Sequence, residues 1–176
     1  AYKRLSTALP QLKYWELDNE ADLVHRSQDS DDYRKWFETY LKYIVAADKG
    51  LKEAGNGAKV VLNGEAGIHP ERAQLLIDKV GDHFDVVNYH FYCGAVAPEL
   101  SQEDINTGAE NRPRKTSFLD SVREINQISK RAGKEAWLTE IGWSARSGAA
   151  VGDRLQSAYL QRIYLLARWA GTDKVF

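Results

Sequence analysis

Two short stretches hold the residues best suited to chemistry. Tyr14-Trp15-Glu16-Leu17-Asp18-Asn19-Glu20 is a mostly apolar run that ends in an Asn-Glu pair. Ala136-Trp137-Leu138-Thr139-Glu140-Ile141-Gly142-Trp143 answers it late in the chain. Each reads as a buried strand that delivers one carboxylate, Glu20 or Glu140, near its C-terminal end. Two carboxylates at the ends of strands of one parallel sheet can face each other across a substrate. One can donate and recover a proton while the other attacks carbon, the chemistry that cleaves a glycosidic bond with retention. A single Glu at a strand end is as readily a solvated or salt-bridging residue, so the signal lies in the pair.

The elements that would position these groups follow in order. Residues 1–13 read as a helix tail or connector that Pro10 ends. A strand at about 13–20 follows. Ser30 and the acids Asp31 and Asp32 open a helix. Its apolar face is Tyr33, Trp36, Phe37, Tyr40, Leu41, Ile44, Ala47 and Leu51, and Gly55 and Gly57 stop it. Residues 59–65 read as a second strand with a continuous Val-Val-Leu centre, as expected when both faces are covered. Pro70 opens a helix that runs to about Val80. Residues 84–92 read as a third strand, followed by a long polar loop at about 94–114, of a length that suits a functional segment. Ser117, three before Asp120, caps a helix to Ala132. A fourth strand spans about 135–141. The last helix, about 153–170, shows Leu155, Tyr159, Ile163, Leu166 and Ala170 on one face. Residues 173–176 begin a fifth strand.

Strand-helix alternation predicts an α/β fold with a parallel sheet and right-handed crossovers. There is no G-x-G-x-x-G after a strand and no G-x-x-x-x-G-K-[ST], so a nucleotide fold has no support. The remaining parallel architecture is the (β/α)8 barrel, with its active site at the C-terminal strand ends. A net charge of -1 leaves no basic excess for nucleic acid. No apolar run approaches the roughly 20 residues of a membrane span. Residues 1–12 show no signal-like segment, and a mature secreted protein would look the same; the expectation leans slightly to a secreted or periplasmic setting. Cys93 is the only cysteine, so an intrachain disulfide is impossible. No G-x-S-x-G elbow is present, and Cys93 has only His90 nearby as a partner for a nucleophile. His25, His69 and His83 lack metal-ligand spacing, and His69, just before Pro70, reads as a helix cap.

The order of motifs resembles clan A glycoside hydrolases, which are retaining (β/α)8 enzymes. Trp15 to Glu20 resembles their strand-four W-E-x-x-N-E. His90-Phe91-Tyr92 resembles the strand-six H-x-Y, and Thr139 to Trp143 the strand-seven T-E-x-G-W. The overall look is closest to xylosidase-like and endoglucanase-like families, without choosing between them. Asp18 and Ala21 depart from the residues often found there. Asp18 would add negative charge near Glu20 if both sit in the site.

The resemblance implies a TIM (β/α)8 barrel of which residues 1–176 are the C-terminal portion, about four β/α units plus a strand stub. It implies Glu20 as the acid/base and Glu140 as the nucleophile. Asn19 would bond the sugar 2-hydroxyl, Tyr92 would donate to Glu140, and His90 would join that cluster. Trp143 could stack on a sugar, though packing suits it nearly as well. Glu65 and Asn63, at the end of the second strand, could touch substrate. Trp15 reads as core and Glu16 as part of an internal polar network. No metal and no cofactor are expected, and the partner is a carbohydrate.

A closed barrel needs eight strands. A missing N-terminal segment, or a complementary chain, is therefore expected to complete it, and the chain alone is expected to associate or to be poorly soluble. The expectation favours part of a longer protein over a self-assembling fragment or a minimal protein without catalysis. The rival from another class is a non-catalytic carbohydrate-binding or scaffold protein derived from such a barrel. It would keep the aromatics and need neither Glu.

Overall fold

The computed structural model describes residues 1–23, 31–92, 94–100, 117–146 and 150–176. His25, Cys93 and the greater part of the long polar loop lie outside them. The elements are α1 (Tyr2–Ala8), β1 (Tyr14–Glu16), α2 (Asp31–Ala54), β2 (Lys59–Val61), α3 (Pro70–Val80), β3 (Val86–Tyr92), α4 (Phe118–Arg131), β4 (Glu135–Gly142), α5 (Asp153–Trp169) and β5 (Lys174–Val175). Short 3-10 turns cover Ala21–Leu23 and Gly81–His83.

The five strands form one parallel sheet in the order β1-β2-β3-β4-β5. This is an α/β fold whose strand order never reverses, so no switch point divides its helices between two faces. Residues of α2, α3, α4 and α5 share one core with Leu17, Val60, Leu62, Val87, Tyr89, Phe91, Ala136 and Leu138 on one side of the sheet. Val61, Val86 and Trp137 point to the other side and form a separate small cluster.

That second face is curled. The Tyr14 and Trp137 rings lie 4.7 Å apart although β2 and β3 separate their strands. Neighbouring strands are about 4.8 Å apart, so a flat sheet would hold these two side chains roughly 14 Å apart. Lys174 Nζ sits 4.1 Å from the Tyr14 ring centre and 4.0 Å from that of Trp137, bridging them as a cation over two π faces. Tyr14, Glu16, Val61, Trp137, Thr139, Lys174 and Phe176 border a cavity of about 460 Å³ in this concavity.

Helix limits follow local signals. Pro70 occupies the first turn of α3, where a missing N–H costs nothing. Ser117 Oγ accepts from the Asp120 N–H at 3.1 Å and caps α4. Tyr33, Phe37, Tyr40, Ile44, Ala47 and Leu51 of α2 are buried at helical spacing. Two expectations fail. Leu155 remains 45% exposed, and the buried seam of α5 is Ile163 and Ala167. His69 stands at the N-cap of α3 but makes no side-chain cap bond. Its ring is instead turned inward against Arg72, whose Nη2 donates to it, and towards Asp22.

Strands β1 and β2 stop short of their sequence runs, at Glu16 and Val61, because the ladder breaks near the ends that carry polar groups. Beyond β1, Leu17 N–H still donates to Val61 O at 3.1 Å and Glu20 N–H to Gly64 O at 2.8 Å. Between β3 and β4 the register shifts: Tyr89 pairs Leu138, and His90 pairs Glu140. Thr139 is the extra residue, a bulge of the kind that re-aims side chains beside active sites.

Candidate active site

Glu20, His90 and Glu140 meet at the C-terminal end of the sheet. Their donor atoms all lie within 4.8 Å of one another. His90 Nδ1 is 2.8 Å from Glu20 Oε1 and 3.7 Å from Glu140 Oε2. The Tyr92 phenol donates to Glu140 Oε2 at 2.9 Å. Burial, and then the Glu140 carboxylate beside it, push the Tyr92 phenol up to about 12, so it remains a protonated donor in ordinary buffers.

Each group is held by its backbone. Glu20 has φ 47°, in the left-handed region that non-glycine residues rarely adopt. Such conformations cost of order 1 kcal/mol and persist where the surroundings impose them, often at functional sites. Here the surroundings are visible: Glu20 N–H is tied to Gly64 O, its carbonyl accepts Leu23 N–H at 3.0 Å, and Ala21 N–H donates to Asn63 Oδ1 at 3.3 Å. His90 is 1% exposed, and its backbone N–H donates to Glu65 O at 2.9 Å. Gly64 makes room for it. A Cβ on Gly64 would stand 2.2 Å from His90 Nε2 and 2.9 Å from Glu16 Oε1.

Beneath the carboxylates runs a polar row that joins three strands. Asn88 Nδ2 donates to Glu16 Oε1 at 2.8 Å, and Thr139 Oγ1 donates to Asn88 Oδ1 at 2.7 Å. His90 Nε2 is 3.1 Å from Thr139 Oγ1. Glu16 is exposed on the open face, yet its carboxyl is drawn down among these groups. Desolvation there raises it above its ordinary value, while His90, the Gly64 N–H and the Asn88 amide act the other way.

Of the remaining residues singled out in the sequence, Asn19 lies beside Glu20, is exposed, and bridges Gly64 across the strand ends. Asp18 accepts the Asn19 N–H at 2.9 Å, and its charge acts on the phenols of Tyr2 and Tyr40. Trp143 is not brought to the site. It is 4% exposed, its Nε1 donates to Val96 O at 2.8 Å, and its ring meets Tyr159 edge-on at 5.3 Å. Trp143 thus offers no free face to a sugar. Glu65 is also turned away. It is 8% exposed, with Oε2 3.4 Å from Arg72 Nε. Asn63, 1% exposed, holds the turn after Glu20 rather than facing solvent. Trp15 packs against the core, and Glu16 belongs to the polar row.

Glu65 is part of a buried charged cluster behind the site. Arg72 Nη2 stands 3.4 Å from Asp22 Oδ2, and Asp22 Oδ1 accepts Ala66 N–H at 3.1 Å. Arg72 favours the ionised form of Glu65. Burial outweighs it, because Arg72 is shared with Asp22, and the Glu65 carboxyl is pushed up to about 7.

Sequence reasoning missed Asn88, Thr139 and Gly64. The signal for Asn88 was present: Asn88 and His90 are two apart in an otherwise apolar strand, so they share one face. Glu20, His90 and Glu140 could also hold a metal ion, since each offers one ligand atom within reach of the others.

The sequence matches no protein-family model and no curated protein. Solved structures do match. A calcium-binding mutant of Bacteroides uniformis beta-glucuronidase 2 superposes with a TM-score of 0.60 over 99% of this chain and 20% of its own, at 14% identity. XacCel5A, one of whose structures is a complex with cellopentaose, superposes with a TM-score of 0.50 over 99% of this chain and 52% of its own, at 12% identity. The chain spans a fifth of the first and about half of the second. These neighbours are glycoside hydrolases, and the likeness is one of fold.

Proposed function

We propose that this chain is the portion from strand four to the start of strand eight of a (β/α)8 glycoside hydrolase that cleaves β-linked glycans with retention. Glu20 is the acid/base and Glu140 the nucleophile. The observation that carries the reading is the meeting of these two carboxylates within 4.8 Å, with Tyr92 donating to one and His90 touching the other. Retaining enzymes hold their carboxyls about 5–5.5 Å apart, too close for the water that inversion needs between them. In the first half-reaction Glu140 attacks the anomeric carbon as Glu20 protonates the departing oxygen. In the second, Glu20 takes a proton from the water that releases the sugar. Asn19, exposed beside Glu20, is positioned for a sugar hydroxyl.

The curled sheet with helices on one face supports the barrel assignment. Its aromatic concavity would be closed by the remaining β/α units, supplied by a preceding segment or a complementary chain. A non-catalytic sugar binder has less support, since binding alone needs neither Glu20 nor Glu140, and both carboxylates come together here.

The test is hydrolysis of a panel of aryl β-glycosides by the chain with its barrel complete, and by Glu140→Ala with added azide. Turnover lost in the variant and restored as a glycosyl azide of inverted configuration supports the reading. A folded, complete protein without turnover on any member refutes it.

A further inference from the structure

The polar row beneath the carboxylates fixes where one proton must be. Asn88 Nδ2 faces Glu16 Oε1 at 2.8 Å and the Leu62 carbonyl at 3.4 Å. A backbone carbonyl can only accept, so the amide nitrogen must be on that side and Oδ1 must face Thr139. Asn88 Oδ1 carries no hydrogen. The 2.7 Å contact therefore uses the Thr139 hydroxyl proton. With its proton committed, Thr139 Oγ1 can only accept from His90 Nε2, 3.1 Å away. Nε2 is thus protonated. A neutral imidazole has one N–H, so Nδ1 then presents a lone pair to Glu20 Oε1 at 2.8 Å. Two bare acceptors at that distance repel. A proton must stand between them, on the carboxyl as O–H or on the ring as a second N–H.

We propose that Thr139 and Asn88 are positioning residues that lock His90 as its Nε2–H tautomer and so keep one proton on the Glu20–His90 pair. The part this plays in turnover rests on the glycosidase reading; the tautomer does not. In that reading the pair loses its proton to the departing glycosidic oxygen. Glu20 is then left as a carboxylate facing a bare Nδ1. The repulsion drives it to take the proton of the attacking water, so the pair ends each cycle with the proton it began with. The reverse tautomer, with Nδ1–H donating to Glu20 Oε1, would place no repulsion between ring and carboxylate and so supply no drive to recover the proton.

The local fold is built for the lock. The bulge at Thr139 turns its hydroxyl to β3. Asn88 and His90 share a strand face, and Gly64 leaves the ring its space. His90, 1% exposed, has no bulk water to supply an alternative acceptor.

The test is 15N–1H NMR of the histidine side chains in the 15N-labelled chain at neutral pH, with His90 assigned by His90→Gln. Wild type is expected to show Nε2–H, with the ring either neutral or doubly protonated. Thr139→Val is expected to release the lock and populate a neutral Nδ1–H ring with Nε2 bare, and Thr139→Ser to keep Nε2–H. In the complete barrel Thr139→Val lowers kcat by about 10-fold or more with KM little changed, as loss of proton-transfer alignment requires. A neutral Nδ1–H ring in the wild type overturns the proposal without any variant having to fold. So does a Thr139→Val protein that keeps the wild-type signature. A correct tautomer without glycosidase turnover would refute the assigned activity and leave the lock standing.

Discussion

The Tyr92 phenol reaches Glu140 Oε2 from β3, two residues beyond the histidine that touches Glu20. One strand therefore serves both carboxylates, each through a different kind of group. Tyr92→Phe removes the donor and keeps the ring. Because Tyr92 is 43% exposed, the fold should tolerate the change with little shift in melting temperature. Activity should fall by about 10- to 100-fold as Glu140 loses its alignment. On the proposed glycosidase reading, steady-state kinetics with the remaining β/α units supplied checks this, and an unchanged kcat/KM would remove Tyr92 from the site. The sign of its pH dependence also follows. With the phenol raised to about 12, the hydrogen bond is complete at neutral pH and is lost only as pH climbs through that value.

Gly64 is the second position with a sharp expectation. An added methyl would stand 2.2 Å from His90 Nε2 and 2.8 Å from Cε1, and His90 is held by Thr139 on one side and Glu20 on the other. The ring must move or the strand must. Gly64→Ala should cost about 1–3 kcal/mol as overpacking, read by denaturant unfolding. It should also reduce turnover more than its stability loss explains. A variant as stable and as active as wild type would mean that β2 shifts freely beneath the site.

Glu65 gives a stability prediction with a definite sign. Its folded value of about 7 exceeds the ordinary 4.5, so the folded state binds more protons between these values. The contribution is fully present below about pH 4.5 and is lost as pH rises through about 7. Thermal melts from pH 5 to pH 8 should show this slope, and Glu65→Gln should flatten it. A wild-type melting temperature that rises over the same range, with no change of slope in the variant, would show that Arg72 keeps Glu65 ionised throughout.

How far the sequence could be read depends on whether each residue's partners are local. Helix α3 was legible to the residue because Pro70 acts on its own φ and on one missing N–H. The strand-end positions of Glu20 and Glu140 were legible because apolar runs stop there. His69 was misread because its partners come from elsewhere: Asp22 follows β1, and their ring-to-carboxylate contact is fixed only by the tertiary fold. For Trp143 the sequence left stacking and packing open for the same reason, since the Tyr159 ring that covers it lies on α5. Thr139 was visible only as part of a motif, and its hydrogen-bonding role could not be read. Its importance comes from a register shift against β3, and register belongs to a pair of strands rather than to either one.

The concave face predicts self-association when the 176-residue chain is prepared alone. Phe176 is 57% and Tyr14 37% exposed there, and β1 and β5 present unpaired edges in the described sheet. Light scattering after size exclusion should give a mass above the 19.9 kDa of one chain. A Tyr14→Lys, Phe176→Lys double variant should shift it towards the monomer. A monomeric wild type with a single sharp melt would mean that the Lys174 bridge over Tyr14 and Trp137 suffices to shield this face.

The site should also be open to capture by a divalent cation that accepts oxygen and imidazole ligands, such as zinc. Glu20, His90 and Glu140 bring two oxygens and one imidazole nitrogen within 4.8 Å of one another, so the carboxylates would have to close in to the roughly 3.5 Å separation of ligands held about 2.0–2.2 Å from one zinc ion. Zinc would displace the proton held between His90 and Glu20, so the two compete for the same lone pairs. Calorimetry should therefore show zinc binding that is accompanied by proton release. Chelator should reverse it, and Glu140→Gln should weaken it. If the proposed glycosidase reading holds, zinc should inhibit competitively with substrate, because both would need Glu20 and Glu140 free. Binding unchanged in Glu140→Gln would place the ion elsewhere. No binding at all would show that the Tyr92 hydrogen bond holds the Glu140 oxygen too firmly for it to turn towards a metal.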